Sequence, residues 1–92
     1  MKGQHIFKLV EGKFSPAEAG KIMYDLIQRK IHFHSVESLA IAEKYDGDVS
    51  HSERRIAELQ SVRASLKKVL EYAAEYNKEI LVKGDLEITL LD

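Results

Sequence analysis

The sequence predicts an α+β fold that is mostly helical, with the element order β-α-α-β-β. Two long segments carry apolar residues at helical spacing, a short polar turn separates them, and both chain ends are rich in strand-forming residues. Two helices of similar length joined by a short turn form an antiparallel hairpin, which returns the chain to its start. We therefore expect a long helical hairpin with a small antiparallel sheet at its open end, built from an N-terminal strand and a C-terminal β-hairpin.

The first strand is expected over about residues 5–11, which favour strand and stop at Gly12. A strong helix start follows. Ser15 is the candidate N-cap, Pro16 occupies the first helical position, and Glu18 stands three residues after the serine. This combination is a capping box with proline at N1, so we expect the first helix to run from about residue 16 to residue 45.

The first helix carries two apolar stripes at helical spacing, and a break near residues 32–35 is the alternative to a continuous helix. The first stripe contains Ala19, Ile22, Met23, Leu26, Phe33, Val36 and Ala40. The second contains Ile27, Ile31, Ile41 and Tyr45.

The turn is expected over residues 46–49, with Gly47 as the residue that closes the first helix. The second helix is expected over about residues 50–77, with its start around Ser50 or Ser52; Ser50 and Glu53 have the spacing of another capping box. Its seam is coiled-coil-like: apolar residues recur every seven positions, and further apolar residues lie between them. These positions are Leu59, Leu66, Ala73 and Ile80, with Val62, Val69 and Tyr76 between them.

The tail changes from helical to alternating periodicity. Leu86, Ile88 and Leu90 alternate with polar residues, and the Gly84–Asp85 pair is an acceptable two-residue hairpin turn. We therefore expect two further strands, over about residues 80–83 and 86–91.

A homodimer is expected because a helical hairpin needs only one apolar stripe on each helix. The second stripe of the first helix then needs another cover, and a second copy forming a four-helix bundle is the simplest one. The interface predicted in this way contains Ile27, Ile31 and Ile41. The alternative is a kink near Ser35 that lets a shorter helix use both stripes within a monomer.

Length and composition restrict the function classes. The chain has 92 residues, 45% of them hydrophobic, a net charge of −1 and no cysteine. We expect one domain, no disulfides and no thiolate chemistry. No secretory signal or membrane span is visible in the sequence, so a cytoplasmic location is expected.

No motif predicts an enzyme, a metal site or a cofactor. His32 and His34 point to different sides of a helix; in a strand they would share a face, but no carboxylate lies between Leu26 and Val36 to complete a set of ligands. The segment that begins at Asp46 opens like a calcium loop but has His51 and Ala57 where glycine and glutamate are required. Asp48, Ser50 and His51 contain the residue types of a catalytic triad, yet their adjacency in sequence argues against one. Tyr72 and Tyr76 are expected to pack at the helix end against the sheet rather than to form a stacking platform.

The charges are unevenly distributed along the chain. Residues 26–36 and 59–70 contain no Asp or Glu, and a turn centred near Asp48 would place these two windows side by side. They hold five Lys and Arg residues, so the rest of the chain has a charge of −6. We call this region the basic belt. Its candidate anion- or partner-binding residues are Arg29, Lys30, His34, Arg63, Lys67 and Lys68.

Two functions are expected from these features. The first is a small, non-enzymatic interaction module of bacterial type, a homodimer that binds another protein. The alternative is a small regulator that binds nucleic acid or another polyanion through the basic belt. The helical hairpin is similar to that of small RNA-binding plasmid copy-number regulators, in architecture alone. The two functions differ in whether the cations of the belt converge on one exposed face.

Overall fold

The computed structural model describes residues 3–45 and 47–92, without the side chains of residues 44 and 45. Its elements are β1 (Gln4–Phe14), α1 (Pro16–Tyr45), α2 (Ser50–Glu75) and β2 (Ile80–Thr89). The two helices form an antiparallel hairpin and the two strands form an antiparallel sheet, so the predicted α+β class is confirmed. Asp46, which belongs to the predicted turn, lies outside the described residues.

The start of α1 is capped as its sequence predicts. The N–H of Ser15 donates to Glu18 Oε1 at 3.0 Å, and the N–H of Glu18 donates to Ser15 Oγ at 3.2 Å. This reciprocal pair satisfies two N–H groups that a helix start otherwise leaves without partners. The helix is continuous through residues 32–35, so the kinked alternative is not observed.

The predicted capping box at the start of α2 is wrong. Ser50 is the first helical residue, and the residue at the cap position, Val49, makes no side-chain capping hydrogen bond. Instead the Asp48 carboxylate accepts a hydrogen bond from the Ser50 N–H at 2.9 Å. Aspartate one residue before the cap performs the role assigned to serine, because its acceptor reaches the exposed N–H groups of the first turn.

The helix α2 ends at Glu75, two residues before the expected boundary. Asn77 has a positive φ of 53°, and the N–H of Lys78 donates to the Ala73 carbonyl at 2.8 Å. The Asn77 N–H meets the Ala74 carbonyl at 3.5 Å. This is the Schellman arrangement, in which asparagine replaces the usual glycine at the left-handed position.

The predicted C-terminal hairpin is wrong. Residues 80–89 form one strand that pairs with β1 along its length, from Phe14–Ile80 to Gln4–Thr89. Gly84 does not have a positive φ, which a hairpin turn of the expected type requires. The register shifts between Lys8 and Val10, so Leu9 forms a bulge opposite Gly84 and Asp85. Pairing with an eleven-residue β1 therefore outweighs the local turn preference of glycine.

The helices and strands lie in a single layer. The molecule measures 50 × 35 × 15 Å, and its smallest dimension is close to the diameter of one helix with its side chains. The buried hydrophobic residues are few: Ala19, Leu59, Leu70 and Ala73 among the described residues. A stable domain normally has two packed layers, so this chain presents one layer with an uncovered side.

Candidate interaction surfaces

The seam between the two helices is formed by residues that are buried or half-buried. On α2 it contains Leu59, Leu66, Leu70 and Ala73, together with Ser52 at 2% exposure. Leu59, Leu66 and Ala73 were expected there, whereas Val62, Val69 and Tyr76 are exposed. On α1 the seam contains Ile27, Ile31, His34 and Ile41.

The three isoleucines predicted for the dimer interface therefore already lie in the hairpin. Ile27, Ile31 and Ile41 are half-buried in the single chain and share a helical face with the buried His34. The second helix covers the stripe that was expected to await a second copy. A dimer contact through these residues has little exposed area available, and the surface that needs a cover is formed by other residues.

That surface consists of apolar side chains on both helices, which we call the apolar face. Phe33 of α1 is 55% exposed, and Val62 and Val69 of α2 are 53% and 58% exposed. The face is completed by Leu26, Tyr72 and Tyr76. The rings of the two tyrosines lie 4.5 Å apart, but both are more than half exposed, so their expected packing against the sheet is wrong.

These side chains point to one side of the hairpin. Leu26 and Phe33 immediately precede seam residues on α1, as Val69 and Tyr72 do on α2. One residue rotates a helix by about 100°, in the same sense along each chain. Because α1 and α2 are antiparallel and face each other, this equal rotation points both stripes to the same side.

The sheet extends the apolar surface. The register places Phe7 opposite Leu86 and His5 opposite Ile88, so these side chains share one face of the ribbon. Phe7 and Leu86 are 54% and 46% exposed. Beside them, Leu9 and Val10 line a depression of about 400 Å³ together with Ile22 and Leu26 of α1. Exposed apolar side chains thus continue from the hairpin to the ribbon.

The basic belt is not aligned as predicted. Ser52 Oγ donates to Glu37 Oε1 at 2.7 Å, and Leu70 Cδ1 lies 3.4 Å from where a Cβ on Gly20 would be. In each pair, the position halfway along the chain between the two residues is about residue 45. This is three residues before the expected centre of the turn. One helix is therefore displaced by about six residues, roughly 9 Å, from the expected alignment.

The belt residues point in several directions. Arg29 donates to Asp25 Oδ2 at 2.9 Å, the Lys30 ammonium lies 4.8 Å from the Phe33 ring centre, and His34 is buried in the seam. Arg63 and Lys67 are one turn apart on α2, whereas Lys68 follows Lys67 and points a further 100° away. The structure brings Arg63 and Lys67 together and does not bring the six residues to one face.

Arg63 and Lys67 line a groove between the helices, on the side opposite the apolar face. Two of its lining residues, Gln60 and Lys67, immediately follow the seam residues Leu59 and Leu66. The groove consists of two adjoining depressions of about 620 and 520 Å³ that share Tyr24 and Lys67. We call it the cationic groove. Its charged lining residues are Lys21, Arg63, Lys67 and Glu71.

A polar cluster joins the two helices within the seam. Glu37 Oε1 accepts the Ser52 hydroxyl and lies 3.4 Å from His34 Nδ1, and these contacts hold the pKa of Glu37 below its ordinary value. Among the residues that the structure describes, His34 Nε2 is buried and has no hydrogen-bond partner. Because Ser52 already donates to a carboxylate and is almost fully buried, this arrangement lacks an accessible nucleophile.

At the tip of the hairpin, the charged side chain of Asp48 has a structural role. The hydrogen bond from the Ser50 N–H lowers the pKa of Asp48, as expected for a carboxylate at a helix start. Asp48 therefore caps α2 and does not orient His51. Within residues 3–45 and 47–92, no group of three or more His, Cys, Asp or Glu side chains is placed to hold a metal ion.

Comparison with protein-family models, curated proteins and solved structures finds no match to this chain. None of the helices in the described part of the chain combines the length and the apolar character needed to cross a membrane.

The sequence did not point to two residues that shape these surfaces. Tyr24 lies under Arg63, whose guanidinium carbon is 5.5 Å from the tyrosine ring centre, and Ser52 anchors Glu37. Ser52 falls in phase with Leu59 and Leu66, seven residues apart, which is the signal that places it in the seam. Tyr24 could be matched to Arg63 only with the alignment of the helices known.

Proposed function

We propose that this chain is a small, non-enzymatic interaction module that forms a homodimer through the apolar face of its helical hairpin and binds another protein. In the dimer, two hairpins form a coiled-coil-like four-helix bundle about a twofold axis. A cytoplasmic, bacterial setting remains a prediction for this module.

The observation that carries the proposal is the accessible area of the single chain. The area is 7,532 Å², whereas a compact monomer of 10.5 kDa has about 5,400 Å². The difference of about 2,100 Å² exceeds the roughly 800 Å² that each partner buries in an interface of standard size, and it suits the larger interfaces of obligate dimers.

The distribution of the exposed side chains supports a second copy of the chain as the partner that covers the apolar face. Phe33, Val62 and Val69 form the middle of the apolar face, and the Arg55–Glu58 ion pair stands on α2 towards the hairpin tip. An apolar centre with charged residues at its margin is the usual composition of an oligomer interface. The amphipathic hairpin is thus complementary to itself.

The proposal predicts that glutamates in the apolar face separate the dimer. In V62E/V69E the carboxylates would lose water on association, so we expect the dimer dissociation constant to rise at least tenfold. Sedimentation equilibrium measures this constant. Because Val62 and Val69 are exposed in the single chain, the helical circular dichroism should remain.

The matched control places glutamate on the opposite side of the same helix. Q60E/A64E should keep the dissociation constant within twofold of the wild-type value. A second measurement does not depend on the stability of the glutamate variants: because the chain has no cysteine, single V62C and Q60C variants can be cross-linked selectively. A wild-type protein that stays monomeric at every concentration, or equal cross-linking of both cysteines, would overturn the proposal.

The nucleic-acid alternative has less support. It requires the basic belt to present its cations on one face, and Arg29, Lys68 and the buried His34 point away from Arg63 and Lys67. Binding to RNA is therefore kept as an outcome of the experiment described next.

A further inference from the structure

We propose that the cationic groove is the partner-binding site of this module and that it takes an acidic, Asp- or Glu-rich segment of the partner protein. This inference rests on the proposed interaction function and identifies the chemistry of its partner. It is independent of the dimer contact, because the groove and the apolar face lie on opposite sides of the hairpin.

The shape of the groove suits an extended chain. It runs between α1 and α2, and small residues line it, including Ala17, Gly20 and Ala64. The Gly20 position is buried, and a Cβ there would already contact the Leu70 and Tyr24 side chains. Small residues at these positions leave space between the helices that longer side chains would occupy.

The charges of the groove favour carboxylates. Lys21, Arg63 and Lys67 line it with one acid, Glu71, in a chain whose net charge is −1. The Arg63 guanidinium carbon lies 5.5 Å from the centre of the Tyr24 ring, within the range of a cation–π contact, which favours this position of the guanidinium before a ligand arrives. A guanidinium stacked on a ring still presents N–H groups at its edge, where a carboxylate can accept two hydrogen bonds.

The acid in the groove does not neutralise it. Lys67 Nζ lies 3.8 Å from Glu71 Oε1, and both side chains are about two-thirds exposed. An exposed pair at this distance is weak and is readily exchanged for a ligand carboxylate. Glu71 is thus a competitor for Lys67 that a bound acidic segment displaces.

The number of cations decides between an acidic protein segment and nucleic acid. A protein that makes about six to ten phosphate contacts with a nucleic acid gains affinity from each of them and loses it steeply with salt. The groove offers three cations, which match two or three carboxylates of a short acidic segment. Gln60 adds a neutral hydrogen-bonding group that also suits a peptide.

The test is the binding of a fluorescein-labelled oligo-glutamate peptide to the wild-type protein, measured by fluorescence anisotropy. We expect R63Q/K67Q to raise the peptide dissociation constant at least tenfold. The matched control K68Q removes a neighbouring cation that points away from the groove and should change the constant less than twofold. E71Q should have the opposite effect and tighten binding, because it removes the competing carboxylate.

Failure of this inference is distinguishable from failure of the proposed dimer. V62E/V69E should still bind the peptide, and R63Q/K67Q should still sediment as a dimer. The inference is overturned if the wild-type protein does not bind the peptide, if K68Q weakens binding as much as R63Q/K67Q, or if E71Q weakens it. Tighter binding of a labelled single-stranded RNA than of the peptide, lost in R63Q/K67Q, would overturn it in favour of nucleic acid.

Discussion

The Glu37 carboxylate connects the two helices within the seam. Apolar side chains usually occupy such positions between helices. Glu37 accepts the Ser52 hydroxyl from α2 and contacts His34 one turn earlier on α1. If His34 Nδ1 carries the proton and donates to Glu37, its Nε2 is a buried acceptor without a partner. A buried acceptor of this kind costs about 1 to 3 kcal/mol, so the cluster selects an alignment of the helices at the expense of stability.

The cluster predicts an acid-labile contribution to folding. The pKa of Glu37 is lowered, first by the Ser52 hydrogen bond and then by His34, from an ordinary value of 4.5. A carboxyl whose pKa is lower in the folded state stabilises the fold above its unfolded pKa, and this stabilisation is lost as the pH falls through the folded pKa. We expect urea unfolding between about pH 5 and about pH 3 to depend less on pH in E37Q than in the wild type.

The control for this prediction is E87Q, which changes a charged residue on the sheet. Glu18 and Asp48 also have lowered pKa values, so the wild type and E87Q should both lose stability on acidification. Equal pH dependence in E37Q and E87Q would contradict a role for the cluster.

At the scale of elements, β2 shows that pairing with a long partner strand can outweigh a local preference for a turn. Gly84 and Asp85 have turn chemistry, but β1 offers hydrogen bonds over ten paired positions, and the bulge at Leu9 absorbs the irregularity. Two short strands joined at Gly84 would leave part of β1 without a partner. Backbone groups favour the arrangement in which more of them are paired.

The element scale therefore predicts that a β-branched residue at position 84 stabilises the protein. Apart from its chain neighbours, a Cβ on Gly84 would meet no atom of the described residues within 4 Å, and the φ of Gly84 is not in the positive range. We expect G84T to raise the free energy of unfolding by about 0.5 to 1 kcal/mol, because threonine favours strand and restricts the unfolded chain more than glycine does. Urea denaturation followed by circular dichroism measures the change.

The control K83T lies on the neighbouring strand position, where a substitution should have an effect within about 0.5 kcal/mol. A lower stability of G84T than of the wild type would mean that residue 84 needs the backbone freedom of a turn, and the continuous strand would be wrong.

For the whole molecule, the exposed area implies that stability depends on concentration. The radius of gyration is 16.7 Å, against about 12 Å for a compact domain of this length, because the hairpin and the ribbon lie side by side in one layer. If a second copy supplies the missing layer, folding and association are linked, and more protein favours the folded dimer.

We expect the thermal midpoint to rise by roughly 3 to 6 °C for each tenfold increase in protein concentration. Circular dichroism in cells of different path length measures it. V62E/V69E should show a midpoint that does not change with concentration, whereas Q60E/A64E should behave like the wild type. A constant midpoint in the wild-type protein would contradict linked folding and association.

Several features followed from the sequence because their causes are local. The Ser15–Glu18 capping box involves residues three apart, so its pattern in the sequence identifies the start of α1. The periodicities of the two helical segments and the strand character of both chain ends likewise predicted the α+β class. Of the surfaces, the sequence identified Arg63 and Lys67 as candidate binding residues but grouped them with residues that point elsewhere.

The sequence by itself determined where the two helices form, that both chain ends have strand character, and that the first helix carries two apolar stripes. Only the tertiary structure decided which stripe becomes the seam. The stripes of Ile27 and Phe33 are both apolar, so the choice depends on contacts made at a distance, such as Ser52 with Glu37 and Leu70 beside Gly20. These contacts also set the displacement of the helices, which places Arg63 over Tyr24 and leaves Phe33 on the uncovered face.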